Sequence, residues 1–302
     1  MKSSNIGGQA VMEGVMMRNA DKYAVAVRKT DGEIVVKTEE YKGIVQNKKI
    51  RSLPIIRGVF SFIDSMVLGM STLTYSASFF MDEEEEEKDE KKESVMMGLT
   101  IACSVVMAVA IFMILPYFLS QLFRKFTDST TLITLLEGAV RLVIFFGYIL
   151  LISRMKDIQR VFMYHGAEHK CINCIEHGME LNVENVLKSS RLHKRCGTSF
   201  LFIVMIVSII FFLFIRIESP IWRVVFRLLL IPVIAGVSFE FIRLAGKSEN
   251  KLVILLSKPG MMLQKLTTRE PDASMAEVAI ASVEAVFDWR AYLKENFGWQ
   301  EK

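Results

Sequence analysis

All four histidines of the chain and three of its four cysteines fall between positions 165 and 196. The dense part reads His165-Gly-Ala-Glu168-His169-Lys-Cys171-Ile-Asn-Cys174-Ile-Glu176-His177, and His193-Lys-Arg-Cys196 follows further on. His165-x-x-Glu168-His169 has the pattern of an inverted zincin motif. On a helix, positions i and i+4 share a face, so both imidazoles can ligate one metal ion. Glu168 lies on the same side, placed to take a proton from a metal-bound water whose pKa the ion has lowered. Zinc, or another divalent transition metal, needs further ligands, and His193 and Cys196 are the obvious second pair, spaced i, i+3. If both bind, the site is closed and structural. If only one binds, a position stays open for water and chemistry. The candidate set is therefore His165, His169, His193 and Cys196 for the metal, with Glu168 as catalytic base.

Three further groups carry chemistry of less definite kind. Cys171-x-x-Cys174-x-x-His177 reads as ordinary residues on a helix rim, with a second metal set or a redox pair as the alternative. Cys103 sits in an apolar stretch and reads as a packing residue. Glu137 with Arg141, and Glu240 with Arg243, place charges inside apolar segments, with Arg223 and Arg227 nearby. Charge in lipid is costly. These read as intrahelical ion pairs that cancel their own cost and set helix rotation, or else as a path for a proton, ion or substrate. The amino-terminal string Gly7-Gly8-Gln9-Ala10-Val11-Met12-Glu13-Gly14-Val15-Met16-Met17-Arg18 lacks the Gly-Lys-Ser/Thr of a phosphate loop. Its glycines permit close backbone approach. It reads as a strand entry beneath a hairpin, or as the piece that brings Glu13 to the histidines.

The elements that must position these residues follow from hydropathy. Of 302 residues, 52% are hydrophobic and 23% charged, with a formal net charge of +4. The apolar excess is concentrated between Val95 and Gly246. This excludes a disordered, collagen-like or disulfide-stapled chain and disfavours an ordinary soluble enzyme. The charge is too small and dispersed for a nucleic-acid partner. The few cysteines, with no secretory signal, imply reduced thiols. A spanning helix needs roughly 20 mostly apolar residues. Residues 95–118, 132–152, 200–217 and 221–244 qualify. Residues 53–81 are apolar but hold Arg57, Asp64 and two glycines, which suits an interfacial or re-entrant helix, with a fifth span as the alternative.

Four spans leave both termini on one side. Ten Lys or Arg up to Arg51, eight from Arg154 to Arg195 and eight after Gly246 put that side in the cytoplasm. The expected layout is a cytoplasmic β unit (1–52), the interfacial or re-entrant helix (53–81), an acidic linker (82–94), a transmembrane bundle (95–246) enclosing the cytoplasmic His/Cys loop (153–199), and a helical cytoplasmic tail (247–302). Tyr23–Arg28 and Ile34–Lys37 alternate around Asp31-Gly32, a hairpin signal. The acidic run DEEEEEKDEKKE reads as a solvated linker, or as a docking patch for a protein partner. In the tail, Pro259-Gly260 signals a turn. Residues 274–293 show helical periodicity, with Val278, Ala281, Ala285 and Trp289 on one face.

GGQAVMEGVMMR at 7–18, YHGAEHK at 164–170, HKRCGTSF at 193–200 and PGMMLQKLTTREPD at 259–272 together resemble the YqhQ-like family of bacterial polytopic membrane proteins. That family is a domain of unknown function, labelled at times a predicted metal-dependent enzyme. The resemblance carries its histidine motif onto His165, Glu168 and His169, and its second motif onto His193, Arg195 and Cys196. Lys194 stands where the family more often has proline, and Cys171 and Cys174 where it need not have cysteine. The reading is a mainly α, four-helix transmembrane bundle in the bacterial cytoplasmic membrane, with membrane lipid as neighbour. The expected function is zinc binding with metal-assisted hydrolysis at the cytoplasmic face. The rivals are a zinc-stapled scaffold docking a translocation or ribosome-associated partner, and a transporter using Glu137, Arg141, Glu240 and Arg243.

Overall fold

The computed structural model describes residues 2–80, 90–215, 217, 219–248 and 250–300; most of the acidic run lies outside them. The segments ahead of the apolar helices form an antiparallel sheet of β1 (Gly7–Val11), β2 (Gly14–Asn19), β3 (Lys22–Arg28) and β4 (Ile34–Glu40), in that order. Asp31-Gly32 makes the expected β3–β4 turn, with Gly32 at φ +90°. The central strands are buried on both faces. Val15, Met17, Ala24 and Ala26 point to one core, and Val11, Met16, Tyr23, Val25 and Val27 to the other. Two covered faces explain why apolar residues run consecutively here instead of alternating.

The second core is closed by a helix. After α1 (Lys48–Ser52), α2 (Ile56–Ala77) packs Leu68 against that sheet face. Gln9 Nε2 donates to the Gly69 carbonyl and to Thr72 Oγ1, both at 3.1 Å, and the Met12 amide donates to Ser76 Oγ at 3.1 Å. Buried Asp64 accepts from Tyr41 Oη at 3.1 Å and the Ile44 amide at 2.8 Å. Of the residues that interrupt this apolar stretch, Asp64 and Gly69 are thus the ones that join it to the β unit.

The remaining helices are α3 (Glu90–Val109), α4 (Leu115–Gln121), α5 (Thr130–Ile152), α6 (Lys156–Glu176), α7 (Val183–Lys188), α8 (Gly197–Phe214), α9 (Pro220–Lys247), α10 (Lys251–Thr267), α11 (Ala273–Val286) and α12 (Trp289–Phe297). A π-helical turn, Ala110–Ile114, joins α3 to α4. Pro116 follows it, and its missing N–H relaxes the ladder there. Among the described residues, five helices are long and apolar enough to cross a membrane: Ile56–Phe80, Val95–Lys125, Thr130–Ile152, Gly197–Phe214 and Ile221–Gly246.

The chain divides into two compact units. One holds Met1–Phe80, Ser153–Ile203 and Ala235–Lys302; the other holds Met81–Ile152 and Val204–Ile234. In the second unit the charges inside the apolar helices form a network across helices. Glu137 accepts from Arg141, at 3.0 Å, and from Arg227 through both carboxylate oxygens. Arg141 also donates to Ser208 Oγ at 2.9 Å. The Phe212 ring lies 5.0 Å from the Arg141 guanidinium and 4.6 Å from that of Arg227. In the first unit, Glu240 is bidentate with Arg57 of α2 rather than paired with Arg243.

Two tail expectations change. α10 runs straight through Pro259-Gly260, because its face Ser257, Gly260, Gln264 and Thr267 is buried, and tertiary packing outweighs a proline's lost bond. Gly260 is there for closeness: a Cβ would meet that of Ser199 at 3.0 Å. The single helix expected over 274–293 is two, since Asp288 caps α12 by accepting from the Ala291 amide at 2.9 Å. Of its expected face, Val278 and Trp289 are buried; Ala281 and Ala285 are partly covered.

Candidate metal centre

α6 is the central helix of the first unit. Tyr164 and every residue from Gly166 to Glu176 are buried. It is covered by the sheet and α11, with Ala167 and Cys171 packed among Val15, Met17, Ala24, Met275 and Ala279. Two close approaches need glycine. A Cβ on Gly166 would sit 2.0 Å from the Arg269 carbonyl oxygen, where the chain after α10 crosses α6. A Cβ on Gly8 would lie 2.3 Å from the Met16 carbonyl oxygen and 3.2 Å from Glu168 Cγ. The glycine-rich amino-terminal string therefore forms one wall beside Glu168.

The i, i+4 spacing brings the His165 and His169 rings together, with centroids 4.4 Å apart. Cys196, just ahead of α8, places Sγ 3.3 Å from His165 Nε2. The ligand atoms of His165, His169 and Cys196 all lie within 4.8 Å of one another. Glu168 Oε2 is 3.9 Å from Nε2 of both histidines. Each imidazole is anchored from behind: His165 Nδ1 donates to the Thr267 carbonyl at 2.9 Å and His169 Nδ1 to the Arg191 carbonyl at 2.6 Å. A carbonyl only accepts, so Nδ1 carries its proton and Nε2 is the atom that faces the cluster.

Charge is distributed to match. Burial raises the Cys196 thiol, but the facing imidazoles outweigh it and hold it well below its ordinary range. Burial lowers both imidazoles, and the opposed thiolate and Glu168 carboxylate outweigh that and raise them. Two histidines, a thiolate and an adjacent carboxylate form a donor set that suits zinc.

His193 is not brought to this cluster. Its Nε2 is 3.3 Å from Glu176 Oε2, its backbone amide donates to Gln264 Oε1 at 2.8 Å, and its ring centroid is 5.9 Å from that of His169. Glu176, fully buried, also accepts from Arg195 and from the amide and hydroxyl of Ser4, both at 2.8 Å. Cys171 and Cys174 are buried and outside the cluster. Burial lifts the first thiol well above its ordinary value and the second to about 11. His177 Nδ1 bonds the Asn173 carbonyl at 2.7 Å. Glu13 reaches α6 one turn before the histidines, as a bidentate partner of Arg160 and an acceptor for Tyr164 Oη at 3.3 Å.

A family model described as a protein of unknown function (DUF1385) matches residues 53–289, which include the whole cluster. The chain belongs to this family. Uncharacterized protein YqhQ of Bacillus subtilis is 36% identical over 301 residues, covering 96% of this chain and 94% of that protein. No solved structure matches. The structure brings three of the four motif strings to the one on α6: Gly8 beside Glu168, Cys196 beside His165, and Thr267 behind it. What spacing alone does not reveal is the supporting shell. Thr267 and Arg191 act through backbone carbonyls, which have no residue signature. Glu176 and Gln264, inside quoted or neighbouring strings, carry no spacing signal of their own.

Proposed function

We propose that His165, His169 and Cys196 bind a divalent transition metal, zinc by their chemistry, and that the centre carries out metal-assisted hydrolysis with Glu168 as base. The observation that carries this reading is the pair of Nδ1–carbonyl bonds, which turns both Nε2 atoms toward one thiolate. Three protein ligands leave a tetrahedral ion one open position. His193, held by Glu176, favours that open site over a closed structural one. A bound metal would supply Lewis acidity, and Glu168, within 3.9 Å of both Nε2 atoms, is placed to take a proton from water.

The site belongs to a protein of the cytoplasmic membrane with four spans, namely α3–α4, α5, α8 and α9, and cytoplasmic termini. Supporting this count, the sheet, α6 and α11 form one core, with three apolar stretches, α2 among them, between the sheet and α6 and two between α6 and α11. Segments that fold together must lie on one side of a bilayer. An even number of crossings between them allows that, and α2 as a further span does not.

Metal analysis of the purified chain, prepared without chelator, tests the reading together with X-ray absorption. The expected result is stoichiometric zinc with two nitrogen, one sulfur and one further light ligand. Glu168→Gln should keep that metal and abolish complementation of a deletion strain. Absence of stoichiometric metal removes the centre; full complementation by Glu168→Gln removes the hydrolase.

A further inference from the structure

α10 begins three residues after α9 ends, so the last apolar helix delivers it to the membrane boundary. One face of α10 packs inward through Ser257, Gly260, Leu263, Gln264 and Thr267. The other leaves Leu252, Leu255, Leu256 and Met262 between 57% and 69% exposed. Such large side chains on one stripe, at the end of a membrane-crossing helix, are not the outer face of a soluble helix. Lys251, Lys258 and Lys265 stand seven residues apart. Seven residues is close to two helical turns, so the lysines form a single row. At 100° per residue that row borders the apolar stripe, with Lys258 and Lys251 next to Leu255 and Met262 when the helix is viewed down its axis. An apolar stripe edged by lysine is the pattern of a helix lying in a bilayer interface.

A second observation sits at the carboxy-terminal end of the same helix. A groove of about 510 Å³ is lined by Arg191, Lys265, Arg269 and Glu270, together with Ser153, the residue after α5. Three cations face one carboxylate there. Glu270 is shared between Arg191, at 3.2 Å, and Lys170, at 2.8 Å. Arg269 donates to the Ser153 carbonyl at 3.0 Å, so its guanidinium is held where an apolar helix ends. The positive excess of the groove continues the lysine row.

We propose that α10 is a membrane-docking helix, whose exposed Leu252, Leu255, Leu256 and Met262 enter the bilayer interface while Lys251, Lys258, Lys265 and the Arg191–Arg269 groove bind the phosphates of anionic lipids. The helix is also a wall of the metal centre, because its last residue, Thr267, holds His165. Docking therefore fixes the cluster at the headgroup layer. The surface itself is independent of metal, and neither readout below involves it.

The test uses the full chain in nanodiscs, with a fluorophore on Leu255→Cys, Leu256→Cys or Met262→Cys and a control on exposed Glu295→Cys. In discs containing phosphatidylglycerol, brominated lipid should quench most of the emission at 255, 256 and 262, and aqueous iodide should quench only at 295. Charge reversal of Lys251, Lys258 and Lys265 to Glu should abolish bromolipid quenching at 262 in phosphatidylglycerol discs and leave it in phosphatidylcholine discs, with iodide quenching at 295 unchanged as the sign of an intact fold. Iodide quenching at 255, 256 and 262 equal to that at 295 overturns the proposal. So does shielding from both quenchers, which would place a protein partner or a second copy on the stripe. Equal bromolipid quenching of the charge-reversed chain in both lipids overturns the anionic-lipid assignment.

Discussion

Glu176 is not among the clustered ligand atoms, yet through His193 and Arg195 it holds the segment that carries Cys196. Burial raises its carboxyl, but His193, Arg195 and Ser4 outweigh that and bring it down from the ordinary 4.5 to about 2. A depressed carboxylate stabilises the fold fully above its unfolded value, and the contribution disappears as pH falls through the folded one. The first unit should therefore lose stability between about pH 4.5 and 2, and Glu176→Gln should cost on the order of 3 kcal/mol at neutral pH and flatten that acid limb, as read from melting temperature against pH. At the same scale, His193→Ala should leave the metal in place, whereas His169→Ala should remove it; metal content per chain decides. His165, Glu168, His169 and Cys196 were legible from spacing because three of them lie on one helix, where i, i+3 and i+4 have fixed directions. The structure does not bring His193 to them, for the same reason in reverse. The i, i+3 argument needs a helix, and residues 189–196 are irregular until α8 begins at Gly197.

Elements meet at α6 through glycine, and this can be tested without touching a ligand. Gly166→Ala forces a methyl to within 2.0 Å of the Arg269 carbonyl, so the tail must lift off α6. Overpacking of this kind costs typically about 1–3 kcal/mol. Because Thr267, two residues before Arg269, anchors His165, the variant should also bind metal more weakly, whereas Gly98→Ala, with open space around its Cβ, should change neither property. Denaturation and competitive metal titration in parallel separate the two effects. The β3–β4 turn, the apolar helices and the helical character of residues 274–293 were readable from turn chemistry, hydropathy and period. The run of α10 through Pro259 was not, since a proline-glycine pair is a local stop signal and the buried face that overrides it is tertiary. The pairing of Glu240 with Arg57 was equally hidden: i, i+3 neighbours are visible in one dimension, whereas a partner 183 positions away is not.

At the scale of the molecule, charges inside apolar helices and the number of crossings are the two open physical questions. Glu137 serves two buried guanidinium groups at once, so removing it strands both, whereas removing Arg227 leaves the Arg141 pair intact. Breaking a buried pair costs about 3–5 kcal/mol. Glu137→Ala should therefore be the more damaging change, and Arg227→Met the milder, in thermal unfolding of the detergent-solubilised chain. The proposed four crossings rest on co-folding. The β unit lies before α2 and meets α6, with Gly8 against Glu168 and the Lys2 amide donating to the Glu176 carbonyl at 3.2 Å. A membrane-impermeant thiol reagent applied to cells should thus find single cysteines at Asp31, in the β3–β4 turn, and at Asn182, ahead of α7, on one side, and a cysteine at Ser129, between α4 and α5, on the other. A fifth crossing by α2 would place Asp31 opposite Asn182. The two results are mutually exclusive, and the second would also dismantle the metal centre, because the wall formed by Gly8 and the histidines of α6 would then lie on different sides of the membrane.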